Sequence, residues 1–204
     1  MRGVTIYLEG GGRGEGRKAL RRGMMRFLRP VTEAFGGKAL YLSVVPCGSR
    51  EETWNRFRRE VGKAGPGEMC VLVVDAEGPV GESLRAHLRV SDGWDLSGIP
   101  GDAVHLMVQI METWIVADPE ALARYYGQGF RRARLPKRTN LEQEPKARIL
   151  DALKEATRHT GKGSYHKINH GAQLLRRMDP ARVRSRCDHC ERLFNELHRV
   201  LESA

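Results

Sequence analysis

The chain has 204 residues and carries 35 Lys and Arg against 25 Asp and Glu, so its formal charge is +10 and its pI is near 9.8. A polyanion is therefore the expected partner, although part of the basic surplus is ordinary solvated helix surface. The start lacks a basic-then-apolar leader, no apolar run approaches the roughly 20 residues of a membrane span, and the four cysteines form no regular framework, which together point to a cytoplasmic protein without membrane contact.

Val4 to Leu8 reads as a buried strand that stops at Glu9 and Gly10-Gly11-Gly12. A helix follows over Arg17 to Leu28 and ends at Pro30, and then a strand over Ala39 to Val45. Ser49 and Glu52 have capping-box spacing for a helix that Gly62 or Gly65 closes. Cys70 to Val74 is a third strand, ending in Asp75-Ala76-Glu77. Gly78 to Gly101 is loop-rich, with an amphipathic piece at Glu82 to Leu88. A fourth strand, Val104 to Ile110, is closed by Glu112. Beyond Asp118 the pattern turns helical. Asp118-Pro119 and Asp179-Pro180 read as helix starts, with helices over Pro145 to His159, Asn169 to Met178 and Ala181 to the terminus, and Arg131 to Thr139 is a basic linker. The predicted fold class is α/β: residues 1–118 form a parallel sheet of about four strands flanked by helices, and residues 119–204 form a helical part packed on it.

Ligands of parallel sheets bind at the carboxyl ends of strands, where Glu9, Asp75 and Glu77 would emerge together. Three carboxylates give an oxygen-only set of the kind that holds Mg²⁺ or Mn²⁺. Taken singly, each cluster also fits a plain turn, because Asp and Glu beside Gly often follow strands. The glycines do not form a phosphate loop, since Arg17 and Lys18 follow Gly16 where Lys and Ser or Thr are needed. Glu112 is a candidate further ligand or general base, Asp118 reads as a helix cap, and Trp114 as core. Cys187-Asp188-His189-Cys190 offers half a zinc site with no partner half, so no zinc is expected and Cys190 is assigned to the core.

Taken together, Tyr7-Leu8-Glu9-Gly10-Gly11-Gly12, Val74-Asp75-Ala76-Glu77, the block from Met107 to Asp118 with its Glu112-Thr113-Trp114, and the tail from Tyr165 to Leu197 resemble the bacterial domain-of-unknown-function family 4276, regarded as Toprim-like. The resemblance spans nearly the whole chain, and the Glu-Thr-Trp block is its most specific element. It implies a Toprim-like fold and a metal-dependent nuclease or phosphodiesterase. Members resemble the second component of abortive-infection pairs, which implies an ATPase partner in phage defence. Many members place an acidic residue after the glycines where this chain has Arg13, a difference that would remove a metal ligand. The alternative is a catalytically silent subunit that binds nucleic acid or a partner.

The expected catalytic residues are Glu9, Glu112 and Lys167. Arg13, Arg17 and Lys18, at the start of a helix, form one expected phosphate-binding group. Lys162, Tyr165, His166, Lys167 and His170 form the other, although the same segment also reads as an interhelix loop with Asn169 as a cap. The two groups are expected to flank the acidic cleft, which requires the helical part to fold back over the sheet.

Overall fold

The structure, a computed structural model, describes residues 2–34, 40–81 and 83–202. The predicted strand start at Ala39, the helix start at Glu82 and the end of the last helix past residue 202 lie outside the described residues. Four strands, β1 (Arg2–Glu9), β2 (Leu40–Gly48), β3 (Glu68–Asp75) and β4 (Val104–Met107), pair in parallel in the order β2-β1-β3-β4. The α/β class follows.

Helices cover both faces of this sheet, which is why its strands read as continuous apolar runs. The strand period of two sorts the side chains. Val4, Ile6 and Leu8 of β1 join Val71 and Val73 of β3 in one cluster, while Tyr7, Leu72 and Val74 join the other. The Tyr7 face is covered by α3 (Arg50–Val61) and α4 (Leu84–Asp92), through Trp54, Phe57, Leu84 and Leu88. The opposite face is covered by α1 (Glu15–Phe27), α2 (Arg29–Glu33) and the later helices: α5 (Met111–Ala117), α6 (Pro119–Tyr126), α7 (Lys146–Thr157), α8 (Lys167–Leu175), α9 (Pro180–Arg184) and α10 (Asp188–Glu202). Phe27, Trp114 and Phe194, one from each of α1, α5 and α10, are fully buried against one another, with ring centroids 5.5 and 5.6 Å from Phe27. One apolar cluster therefore ties the first half of the chain to the second.

Local signals act where the sequence puts them. The Ser49 N–H donates to Glu52 Oε2 at 2.8 Å and the Glu52 N–H donates back to Ser49 Oγ at 3.2 Å, a closed capping box worth about 1 kcal/mol. Asp118 Oδ1 accepts from the Ala121 N–H at 3.1 Å, and Asp179 Oδ1 from Ala181 at 3.0 Å. Four boundaries differ from the sequence reading. Pro30 does not end the helical path but sits in the first turn of α2. Asn169 lies inside α8, whose cap position is His166. The last helix is two, α9 and α10, separated at residues 185–187, where the Arg186 carbonyl accepts the Leu141 N–H at 2.9 Å instead of continuing a helix. Finally β4 ends at Met107, so Glu112 is not a strand residue but sits in the first turn of α5.

The chain leaves β1 for β2 on one side and returns to β3 on the other. A topological switch point thus opens between the carboxyl ends of β1 and β3, the place where open α/β sheets bind ligands. Over this opening α8 packs on α1 at Gly23, where an added Cβ would stand 2.7 Å from the Ala172 carbonyl oxygen. In an open helix Gly→Ala gains about 0.5–1 kcal/mol. Here Gly23→Ala should instead cost about 1–3 kcal/mol through overpacking, read as a lowered urea midpoint at unchanged slope.

Candidate metal and phosphate site

Glu9 ends β1 and Asp75 ends β3, as predicted, and Glu77 follows two residues later in a left-handed backbone conformation, φ 63°. That conformation costs a non-glycine residue about 1–2 kcal/mol and is held by the Glu77 N–H donating to the Gln109 carbonyl at 2.7 Å. The three side chains converge: one carboxylate oxygen from each lies within 4.8 Å of the others. Oxygen ligands at roughly 2.0–2.6 Å from an ion fit a set of that spread. Asp75 is buried, Glu9 half-buried and Glu77 exposed, so the set grades from core to solvent.

Asp75 has two further tasks. Its Oδ1 accepts the Met111 N–H at 2.8 Å, so it caps α5 from the strand next to β4. Its Oδ2 lies 3.3 Å from Lys167 Nζ. Burial, with Glu9 and Glu112 nearby, outweighs Lys167 and pushes the Asp75 carboxyl up from its ordinary 3.8 to about 7. Burial also raises Glu9, opposed by Arg50 and by the Asp75 N–H, which donates to Glu9 Oε2 at 3.1 Å. For Lys167, burial disfavours the ammonium, but Asp75 and Glu112 more than reverse this and its pKa is raised.

Glu112, expected beside the metal set, lies instead behind it, with its side chain 0 % exposed. Its Oε1 accepts the Tyr165 hydroxyl at 2.9 Å, while Oε2 has no hydrogen bond among the described residues and faces Lys167 Nζ at 3.7 Å. Lys167 thus bridges Asp75 and Glu112. Tyr165 is a buried donor: burial and Glu112 push its hydroxyl far above the ordinary range, so it is no phenolate nucleophile.

A cleft of about 530 Å³ opens in front of Glu9 and Asp75. Gly10 to Gly12, Arg13 and the first turns of α1 and α8 line it. Gly11 has φ +83°, and a Cβ there would lie 3.1 Å from Arg17 Cα, so the loop can hug the helix start only as glycine. Of the expected phosphate contacts, Arg13 and Lys167 line the cleft and the others do not. Arg17 donates to the Gly12 and Cys47 carbonyls at 2.7 and 2.9 Å, holding the loop in shape. Lys18 pairs with Glu15 at 2.7 Å. Lys162 lies over the Tyr125 ring, 5.2 Å from its centroid. His170 Nδ1 is 2.9 Å from the Tyr126 hydroxyl, and His166 is exposed at the α8 cap position. Cys187 and Cys190 are packed in the core, where burial pushes both thiols well up, and His189 Nδ1 lies 2.7 Å from Glu142.

Two cations of the site escape the sequence reading. Arg50, first residue of α3, donates to Glu9 Oε2 at 3.2 Å and to the Asp75 carbonyl. It is fixed by a two-pronged pair with Asp92 and by the Trp94 ring, 5.0 Å from its guanidinium carbon. Lys146, first residue of α7, pairs with Glu77 Oε2 at 2.7 Å. Arg50 has one legible signal: it follows the end of β2, at the same sheet edge as Glu9 and Asp75.

The family described as Domain of unknown function (DUF4276) matches residues 14–198. The chain belongs to this family. The match includes Asp75, Glu77, Glu112 and Lys167, while Glu9 and Gly10 to Arg13 precede it. No curated protein and no solved structure matches the chain.

A raised carboxyl pKa has a definite sign for stability. Between pH 3.8 and about 7 the folded state holds a proton on Asp75 that the unfolded state has released, so stability falls as pH rises through that window. Asp75→Asn removes this dependence. In chelator, the variant should exceed the parent in stability by about 1–3 kcal/mol at pH 8, and the gap should close toward pH 5, measured by urea unfolding at both pH values.

Proposed function

We propose that the cleft is a divalent-metal site for phosphodiester hydrolysis on nucleic acid, with Glu9, Asp75 and Glu77 holding Mg²⁺ or Mn²⁺. The observation that carries this reading is the charge of the connected site. Arg50, Lys146 and Lys167 are ion-paired with five carboxylates, those of Glu9, Asp75, Glu77, Asp92 and Glu112. Fully ionised, this network carries two surplus negative charges, the charge of one divalent cation. An all-oxygen donor set suits a hard ion of that kind. When bound, such an ion supplies Lewis acidity, which yields a nucleophile from water at neutral pH and offsets charge on phosphoryl oxygens.

The remaining roles belong to the chain's own residues. Arg13, exposed at the cleft wall, and Lys167, with its side chain 55 % exposed, supply positive charge to phosphates on two sides. Glu112 and Asp75 hold the Lys167 ammonium charged and aimed. Arg50 orients Glu9 from behind while itself clamped by Asp92. By resemblance to the Toprim-like abortive-infection components, the reading extends to an ATPase partner and a role in phage defence.

A second reading has its own support. Each of the three converging carboxylates already has a cation, in Arg50, Lys167 and Lys146. A silent, ion-paired scaffold that binds nucleic acid without cutting would look the same in those contacts. The convergence of one oxygen from each of Glu9, Asp75 and Glu77 within 4.8 Å favours the metal reading over it. The test incubates single- and double-stranded DNA and RNA with Mg²⁺ or Mn²⁺ and titrates Mn²⁺ by calorimetry. Cleavage should appear, vanish in chelator, and fall by more than about a hundredfold in Asp75→Ala, beyond the loss typical of an outer-shell change. Nucleic-acid binding without Mn²⁺ uptake by the parent protein would leave the silent scaffold standing. Arg13→Ala should flatten the log–log salt slope of binding by about 0.7–0.9, one phosphate contact.

A further inference from the structure

The cleft is not polar throughout. Beside Glu9 and Asp75 its wall is made by Leu20, Met107, Met111, Ile168 and Ala172. Its volume of about 530 Å³ falls within the roughly 300–1,000 Å³ of small-ligand sites. The wall runs up to the contact of α1 and α8, where Gly23 meets the Ala172 carbonyl. Polar groups line the same cleft. There the glycine loop, Arg13 and Lys167 meet the first turns of both helices, and neither helix has a side-chain hydrogen bond at its cap. At the boundary stands Ile168, an isoleucine 82 % exposed directly after Lys167. An apolar wall next to cations can bury the face of a nucleobase while the cations meet its phosphate, by apolar contact and not by aromatic stacking.

We propose that this cleft receives one unpaired nucleotide of a single-stranded nucleic acid, its base against Met111, Ile168 and Ala172 and its phosphates toward Arg13 and Lys167. The assignment rests on the phosphodiesterase reading for the neighbouring metal set, and names the substrate class of that site. A base paired inside a duplex cannot reach the wall without leaving the stack, an energetic barrier an unpaired strand does not meet. Leu20 of α1 and Ala172 of α8 both line the slot. Ile168 extends the apolar surface outward, where the next base of the strand can lie against it.

The experiment is fluorescence anisotropy with Ca²⁺ in place of Mg²⁺, using a labelled single strand, its blunt duplex, the same strand with abasic positions, and a competing free mononucleotide. The single strand should bind about tenfold more tightly than the duplex or the abasic strand, the effect of burying one base face on apolar side chains. Ile168→Ser, a change at an exposed position, should lower affinity for the base-bearing strand by about fivefold and leave the abasic strand unchanged. Equal affinity for strand and duplex, or for base-bearing and abasic strands, overturns the proposal. So does a mononucleotide that competes as well as the strand, or an Ile168→Ser variant that binds like the parent. Mn²⁺ calorimetry on the same preparation separates the two readings. If Mn²⁺ binds and duplex is cut as fast as single strand, only the unpaired-nucleotide assignment fails. If Mn²⁺ does not bind and nothing is cut, the hydrolase reading fails whatever the strand preference.

Discussion

Two carboxylates buried at the end of a sheet, Asp75 and Glu112, share one ammonium, and the architecture of the second half of the chain follows from that need. A buried carboxylate without a partner costs several kcal/mol, and a half-exposed ammonium beside two of them offsets part of that cost. Lys167 is the partner, and it comes from α8, far along the sequence. Its ammonium can reach only if α8 lies against α1, which Gly23 permits by letting the Ala172 backbone approach. Tyr165, two residues before Lys167, satisfies the remaining side of Glu112. Helical packing, the glycine in α1 and the buried acids therefore form one constraint. Hydrophobic residues of similar volume would stabilise the same space at least as well as such a pair often does. A fold that keeps the charges, and pushes the Asp75 carboxyl up to about 7, gives up stability at that point.

How much of this was legible depends on the range of the interaction. The strands β1 and β3 were legible because a sheet covered on both faces writes unbroken apolar runs, and their carboxyl ends located Glu9 and Asp75. The capping box at Ser49 and Glu52 and the Asp-Pro starts at Asp118 and Asp179 were legible because both partners lie within one turn. The end of β4 was not. Val108 and Ile110 continue the apolar run and are buried, yet the ladder stops at Met107 because Asp75 takes the Met111 N–H and starts a helix. Nothing near Met111 in the sequence announces a cap supplied from β3. That one long-range bond moved Glu112 from a strand end to the interior of the site.

The cations of the site divide along the same line. Arg13 was singled out because it stands beside the glycine loop, and Lys167 because it belongs to the Lys162 to His170 segment that the family resemblance favours. Arg50 and Lys146 pair with Glu9 and Glu77 across 41 and 69 residues, and no spacing rule covers such distances. Conversely Arg17 and Lys18 look, by sequence, like the best phosphate contacts of the amino-terminal half. The fold turns Arg17 inward to two backbone carbonyls and gives Lys18 a neighbour in Glu15. A basic residue in the right segment is free for a ligand only when the backbone and its neighbours leave it so.

The three cations that meet the converging carboxylates arrive at the first residue of three different helices, Arg50 of α3, Lys146 of α7 and Lys167 of α8. A side chain at that position extends from the end of the helix whose dipole is already positive, so both the fixed charge and the backbone favour an acid there. The first residue of each helix is anchored on carboxylates of the site, α3 on Glu9 and Asp92, α7 on Glu77, and α8 on Asp75 and Glu112. The arrangement also explains why the site need not collapse when its charge changes. If a divalent ion draws the carboxylate oxygens toward itself, the ammonium groups of Lys146 and Lys167, on flexible stems, can yield and turn toward a phosphate. Arg50 cannot, because Asp92 and Trp94 hold its plane. Glu9, tied to Arg50, is then the fixed point of the three converging carboxylates, and Glu77 and Asp75 are the members whose partners are able to change.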